Sequence, residues 1–272
     1  MRRLTVPVTI ARQGPFQFLI DTGAQATVVS RELADRLSLT DRRTAVLIGA
    51  ASRMPVETTT IMDLALGSRV FDVQVAPLVD AEHLGGGAQG ILGLDALQDQ
   101  RVLFDFRKPH LAVASANTLG GNRGFEIIVK ARRKLGQLII TRAKLDGIRV
   151  AVIVDTGAQG SLGNLALLKK LKKTRILGDA DLTDVNGQTL SGPLHLCGEL
   201  EIDKARLRNL PVLFADSPTF ASLGLGDEPA LILGMQELRL FRRVAIDFKA
   251  QRVLFDLPPA EIAGSFFNGN NE

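Results

Sequence analysis

The sequence predicts an all-β protein of two homologous lobes, with short helices and a cleft between the lobes, and three observations predict it. The tetrapeptide Asp-Thr-Gly-Ala occurs twice, as Asp21-Thr22-Gly23-Ala24 and as Asp155-Thr156-Gly157-Ala158. Its surroundings repeat in order. At the same offset Gln25 falls on Gln159, Thr27 on Ser161, Leu33 on Leu167 and Leu37 on Leu171, and further on Ile91-Leu92-Gly93 is matched by Ile232-Leu233-Gly234. Val102-Leu103-Phe104-Asp105-Phe106 is matched in turn by Val244-Ala245-Ile246-Asp247-Phe248. Landmarks in one order at similar spacing define an internal duplication and a pseudo-twofold arrangement. Between them, runs such as Arg69-Val70-Phe71-Asp72-Val73-Gln74-Val75 alternate polar and apolar side chains with the period of a half-buried strand.

Taken in order, each half reads as a strand, an acidic turn, a short strand of small residues and a short helix. Phe18-Leu19-Ile20 and Val152-Ile153-Val154 are the apolar runs that deliver Asp21 and Asp155 at a strand end. Leu94 to Gln98 and Met235 to Leu238 follow the two Leu-Gly pairs as short helices. The segment from Ala116 to Gly124 is small, polar and glycine-rich, a linker by composition. The boundaries expected are 1–116 for the first lobe, 117–124 for the linker, 125–260 for the second lobe and 261–272 for a flexible tail containing Phe266 and Phe267. Residues 217–228 form an extra loop before Ile232 that has no equal in the first half.

Composition excludes several classes. With 272 residues the chain has enough length for two cores. A single cysteine, Cys197, rules out an internal disulfide, and His83, His110 and His195 have no ligand-like spacing, so no metal and no cofactor are expected. No apolar run approaches the roughly 20 residues that span a bilayer, and Met1-Arg2-Arg3-Leu4-Thr5-Val6-Pro7 lacks the apolar stretch of a signal peptide. The net charge of +4 sits in the second half, since the first 122 residues carry 12 Lys+Arg against 12 Asp+Glu. Lys169-Lys170-Leu171-Lys172-Lys173 reads as the wet face of an amphipathic helix. It has no aromatic residues of a nucleic-acid platform beside it, so no nucleic-acid partner is expected.

Two carboxylates on equivalent turns suggest one paired site. Held about 3 Å apart they do not ionise together, so they share a proton and titrate as a pair. The ionised member takes a proton from a water lying between them while the protonated member polarises a carbonyl. Thr22 and Thr156 supply small hydroxyls able to bond the opposite loop. Gly23 and Gly157 let backbone approach the site. The bland alternative is an ordinary turn in which each aspartate bonds its own backbone. Gly85-Gly86-Gly87 lacks the Lys-Ser/Thr of a phosphate loop and reads as a connection.

On these residues the chain resembles the aspartic proteases, and within them the retropepsin-like branch. Asp-Thr-Gly-Ala preceded by apolar residues, with a later apolar-apolar-Gly motif, is that family's pattern, present here twice over residues 4 to 258. The resemblance implies two β-barrel lobes in one chain, a pepsin-like pseudo-dimer, with Asp21 and Asp155 as the catalytic pair. Thr22, Gly23, Ala24, Thr156, Gly157 and Ala158 are implied as their supports. It also implies hairpin flaps, for which the candidates are Gly49, Ala50, Ala51 and Ser52 in Ile48-Gly49-Ala50-Ala51-Ser52-Arg53-Met54, and Asn186, Gly187 and Gln188 in Val185-Asn186-Gly187-Gln188-Thr189-Leu190. Asn-Gly is a hairpin signal in its own right. The chain has no Tyr, so the tyrosine-bearing single flap of pepsin-like enzymes is absent.

The function so implied is an aspartic endopeptidase acting on an extended peptide or protein as a monomer, without cofactor, metal or membrane span. Apolar flap residues Ile48, Met54, Val185 and Leu190 would favour apolar side chains at the cut. A periplasmic or otherwise exported location is implied by the resemblance alone. The alternative is a catalytically silent peptide-binding protein on the same fold. A nucleic-acid-associated protein using Lys169 to Arg175 is the third reading.

Overall fold

The computed structural model describes residues 4–108 and 110–258, and the expected tail at 261–272 lies outside them. Strands make up 53% of the structure and helix 11%, and the longest helix among the described residues, Arg31–Arg36, has six residues.

In the first half the strands lie in the order Thr5–Ile10, Gln13–Ile20, Gly90–Leu92, Val28–Ser30, Arg69–Val79, Arg53–Leu66 and Arg43–Ile48. Thr5–Ile10 also pairs with Arg53–Leu66, placing Ile10 opposite Leu64, which closes six of the strands into a barrel. The second half repeats this order: Gln137–Leu145, Ile148–Val154, Ala230–Leu233, Ser161–Gly163, Ala205–Phe214, Thr189–Ile202 and Arg175–Thr183, with Arg132–Lys134 added at its margin. Gln137–Leu145 closes this barrel against Thr189–Ile202. Closure satisfies backbone groups that an open sheet would expose, and leaves Arg43–Ile48 and Arg175–Thr183 as free outer strands. These two become the outer strands of the flap hairpins.

The two strands that carry the acids are buried because each pairs in parallel with the strand of its Leu-Gly motif. Ile20 lies opposite Leu92, and Val154 opposite Leu233. Parallel pairing needs cover on both faces, which explains the unbroken apolar runs. Phe18, Ile20, Val152 and Val154 join a single core with Phe104, Val244, Ile246, Phe248 and Phe255.

Phe104, Val244, Ile246 and Phe255 belong to a third sheet that the lobes share, in the order Ile127–Lys130, Arg252–Asp256, Arg243–Asp247, Arg101–Asp105 and His110–Ala114. The duplicated strands Arg101–Asp105 and Arg243–Asp247 pair with each other, antiparallel, so the pseudo-twofold axis passes between Leu103 and Ala245. Phe106 N–H donates to the Arg242 carbonyl and Phe248 N–H to the Gln100 carbonyl, the same bond made from both sides. Arg101, buried with Asp247, donates to that carboxylate through Nε at 3.1 Å and Nη2 at 2.6 Å. Its guanidinium also reaches the Gly121 carbonyl and Asn122 Oδ1, so the interlobe segment is fastened to the sheet.

The helix expected to present the lysine run is corrected. It spans only Leu165–Leu168, capped by Asn164, and Lys169-Lys170-Leu171-Lys172-Lys173 follows in a turn and an irregular stretch. Leu168 and Leu171 pack on the core while the four lysines stay exposed. Leu167, Leu168 and Leu171 anchor this segment, and the chain enters the strand beginning at Arg175 only four residues later. A longer helix has nothing further to bury.

Removing one partner of the Arg101–Asp247 pair leaves a buried unpaired charge at the lobe junction. We expect Arg101→Met to lower the unfolding free energy by about 3–5 kcal/mol. The double variant Arg101→Met/Asp247→Leu should lose less than the sum of the single variants. Urea unfolding of all four proteins checks this, and additive losses would contradict it.

Candidate active site

The shared sheet and the two barrels bring the acidic turns face to face. Thr22 Oγ1 donates to the Val154 carbonyl at 2.8 Å, and Thr156 Oγ1 donates to the Ile20 carbonyl at 2.8 Å. In return Thr156 Oγ1 accepts from Thr22 N–H at 3.1 Å, and Thr22 Oγ1 accepts from Thr156 N–H at 3.2 Å. Each hydroxyl thus satisfies a buried donor and a buried acceptor of the other lobe. Thr22 and Thr156 are both buried. A residue without a hydroxyl would strand two buried backbone groups.

This crossing aligns the acids. Asp21 Oδ1 accepts from Gly23 N–H at 2.7 Å and Ala24 N–H at 3.0 Å, and Asp155 Oδ1 accepts from Gly157 N–H at 2.8 Å and Ala158 N–H at 3.2 Å. The ordinary self-bonded turn is therefore present in both copies. It serves to aim each carboxyl at its partner. A Cβ on Gly23 would lie 2.4 Å from Asp155 Oδ2, and one on Gly157 would lie 2.2 Å from Asp21 Oδ2, so only glycine admits the opposite carboxyl. Burial, the neighbouring charge of Asp21 and a hydrogen bond with Asp21 together hold the Asp155 carboxyl well above the usual carboxylate range. The Gly157 and Ala158 N–H groups pull the other way and are outweighed.

The Leu-Gly motifs lie behind the turns. Gly93 and Gly234 pass so close to the turns that a Cβ would lie 2.5 Å from the Ala26 carbonyl oxygen and 2.4 Å from that of Gly160. Thr27 Oγ1 accepts from Gly93 N–H and donates to Asp95, while Ser161 Oγ accepts from Gly234 N–H and donates to Glu237. Burial pushes the Glu237 carboxyl up despite the Ser161 bond.

Both flap candidates are hairpin tips, Gly49, Ala50, Ala51 and Ser52 in one and Asn186, Gly187 and Gln188 in the other, and the structure brings the tips together. Val185 and Leu47 pack with Ala24 on the apolar cluster of Leu19, Val28, Val79, Leu84, Ala88 and Ile91. Leu182 and Leu190 pack with Ala158 on the matching cluster of the second lobe. Strand alternation makes Leu47, rather than Ile48, the inward residue of the first flap; Ile48 is 41% exposed.

The extra loop at 217–228 joins this roof. Its helix, Pro218–Ser222, buries Phe220 beside Ile153 and Ile232. Ser217 Oγ donates to the Ala50 carbonyl at 2.6 Å and Thr219 Oγ1 to that of Gly49 at 3.4 Å. Asn164 Nδ2 donates to the Leu225 and Glu228 carbonyls and so holds the loop's return.

A family model described as aspartyl protease matches the chain twice, over residues 6–96 and 141–236. The chain belongs to the aspartyl protease family, in its retropepsin-like branch. Each matched region contains one acidic turn, one flap and one Leu-Gly motif. No individual curated protein matches the chain.

The family pattern leaves unmentioned several residues that shape this aspartyl protease. Gln137, 3% exposed, donates from Nε2 to the Gly23 carbonyl beside the first acid. Asp184, at the turn before Asn-Gly, reaches the opposite flap. Sequence signals existed only for local roles, since Asp two residues before Asn-Gly reads as a turn former. Among the described residues no group of three His, Cys, Asp or Glu side chains gathers as a metal site.

Two outcomes follow from this geometry. Thr22→Val should cost about 1–3 kcal/mol by stranding Thr156 N–H and the Val154 carbonyl, whereas Thr22→Ser should restore most of it. Thermal unfolding of the two variants separates hydroxyl loss from methyl loss. For Asp155 the sign is set by its raised value. The folded protein keeps a proton that the unfolded chain releases above the ordinary 3.8, so this group's stabilisation is full at low pH and is lost as pH rises through its folded value. Asp155→Asn, neutral throughout, should therefore gain on the parent steadily from acidic to neutral pH in urea unfolding. A constant difference would contradict the raised value of Asp155.

Proposed function

We propose that this aspartyl protease is an endopeptidase that cuts peptide bonds with a water activated between Asp21 and Asp155. The observation that carries the reading is the reciprocal threonine crossing, which brings the two carboxyls together, with Asp155 held above the usual carboxylate range by burial and by its contact with Asp21. In this reading Asp155, held above the usual carboxylate range by burial and by Asp21, enters as the acid and Asp21 as the base. Water gives a proton to Asp21 while its oxygen bonds the scissile carbonyl carbon. The carbonyl oxygen takes the proton of Asp155, forming a neutral gem-diol. The amide nitrogen then takes a proton from Asp21, a gem-diol hydroxyl returns its proton to Asp155, and the C–N bond breaks to an acid and an amine. Protons and charges balance without a covalent adduct.

The substrate is an extended peptide. Apolar clusters flank the pair on both sides, with Ala24, Leu47 and Val185 on one and Ala158, Leu182 and Leu190 on the other, which supports apolar side chains about the cut. Both acids come from one chain, so one copy supplies a whole site.

Hydrolysis of an unfolded protein at mildly acidic pH tests this. Asp21→Asn and Asp155→Asn should each lower kcat by about a thousandfold or more while keeping one cooperative unfolding transition, as expected when a residue acts in the transition state. Cleavage by either variant at the parent rate would refute the pair. A parent that binds peptide without cutting it would make the protein a peptide binder.

A further inference from the structure

We propose that Asp184 is a positioning residue whose carboxylate latches the two flaps into one roof over the acidic pair, an assignment that rests on the function proposed above. Hairpin tips are ordinarily exposed, yet Asp184 is 6% exposed. Among the described residues no cation pairs with it. A carboxylate so placed must fill its acceptor sites with N–H and O–H donors.

It does so from two lobes. Oδ1 accepts from Asn186 N–H at 2.9 Å and Gln188 N–H at 3.1 Å, which is ordinary turn chemistry within its own hairpin. Oδ2 accepts from Ala51 N–H at 3.1 Å and Ser52 Oγ at 2.7 Å, both on the opposite flap. Asn186 Nδ2 donates to the same Ser52 oxygen at 2.8 Å, which orients the hydroxyl toward Asp184. The fit leaves no slack, for a Cβ on Gly49 would lie 2.2 Å from Asp184 Oδ2.

Each tip also rests on the lobe it did not come from. Ser217 and Thr219 of the second lobe hold the first flap's Ala50 and Gly49 carbonyls. Val185 of the second flap packs on the first lobe's cluster, and a Cβ on Gly187 would lie 2.5 Å from His83 Nε2 in the first lobe. Asp184 is the point where these two crossings are joined. One flap therefore does not lift unless the Oδ2 bonds break, and the roof opens and closes as a unit. Asp184 acts on the reaction through the roof, by holding substrate against the acids and excluding water.

Nitroxide labels on Arg53→Cys and Gln188→Cys, both exposed, report the distance between the flaps in the full chain. The native thiol does not interfere: Cys197 is buried and its pKa is pushed up to about 12. With Asp184 present, pulsed electron resonance should give one narrow distance. Asp184→Ala should give a longer and broader distribution, and Asp184→Asn and Ser52→Ala should fall between. An unchanged narrow distance in Asp184→Ala overturns the latch, and Ser52→Ala supplies the same test if that variant does not fold. In kinetics, Asp184→Ala should lower kcat/KM about tenfold, chiefly through KM, with partial recovery in Asp184→Asn. Unchanged kinetics beside separated flaps would overturn the positioning role. The label distances are read whether or not peptide is cut, so an inert parent would sink the proposed hydrolysis and leave the latch to be judged separately.

Discussion

Two threonine hydroxyls crossing between the lobes impose the constraint that the remainder of the molecule serves. For each to reach the other lobe's backbone, the strands ending at Ile20 and Val154 must run side by side to the same depth. That demands a rigid floor, and the shared sheet supplies it by pairing Arg101–Asp105 with Arg243–Asp247 across the pseudo-axis. It also demands glycine at four places, because Gly23 and Gly157 admit the opposite carboxyl while Gly93 and Gly234 admit the turns. Closed barrels on either side hold these approaches rigid, since a packed core transmits strain rather than absorbing it.

Symmetry is strictest where the acids are held and relaxes with distance from them. The four threonine bonds match in pairs within 0.1 Å, being 2.8 and 2.8 Å, 3.1 and 3.2 Å. Behind the turns, Thr27 with Asp95 is answered by Ser161 with Glu237, the same chemistry from different residues. At the roof the halves part company. The first flap leans on the helix Pro218–Ser222, and the second leans on the short helix Ala81–Leu84 through His83. Divergence of this kind lets one chain hold a symmetric pair of acids beneath an asymmetric cover.

Much of the site was legible because its requirements are local and repeated. Asp21 and Asp155 stood out as acids at the ends of apolar strands, and the glycines and threonines beside them came with the motif. Asn186-Gly187 announced a hairpin. Other residues gave no such sign. Locally Asp184 is an aspartate before a turn, Gln137 a polar residue opening a strand, and Arg101 and Asp247 charged residues at the ends of short strands. Their importance comes from partners more than a hundred residues away. The lysine run misled for a related reason: its leucines have helical spacing, but helix length depends on how much core remains to be covered, which the local pattern does not contain.

The amino-acid sequence by itself determined the duplication, the predominance of strand, the family pattern and which two acids form equivalent turns. These follow from periodicity and from residue types whose backbone needs are intrinsic. Tertiary structure alone decided that the turns meet with their hydroxyls exchanged, that the lobes share a sheet, that the second-half loop braces the first flap and that a buried carboxylate ties the flaps together. Such facts depend on which surfaces are brought within about 3 Å of one another, a property of hydrogen-bond geometry across the assembled fold that no local stretch of chain encodes.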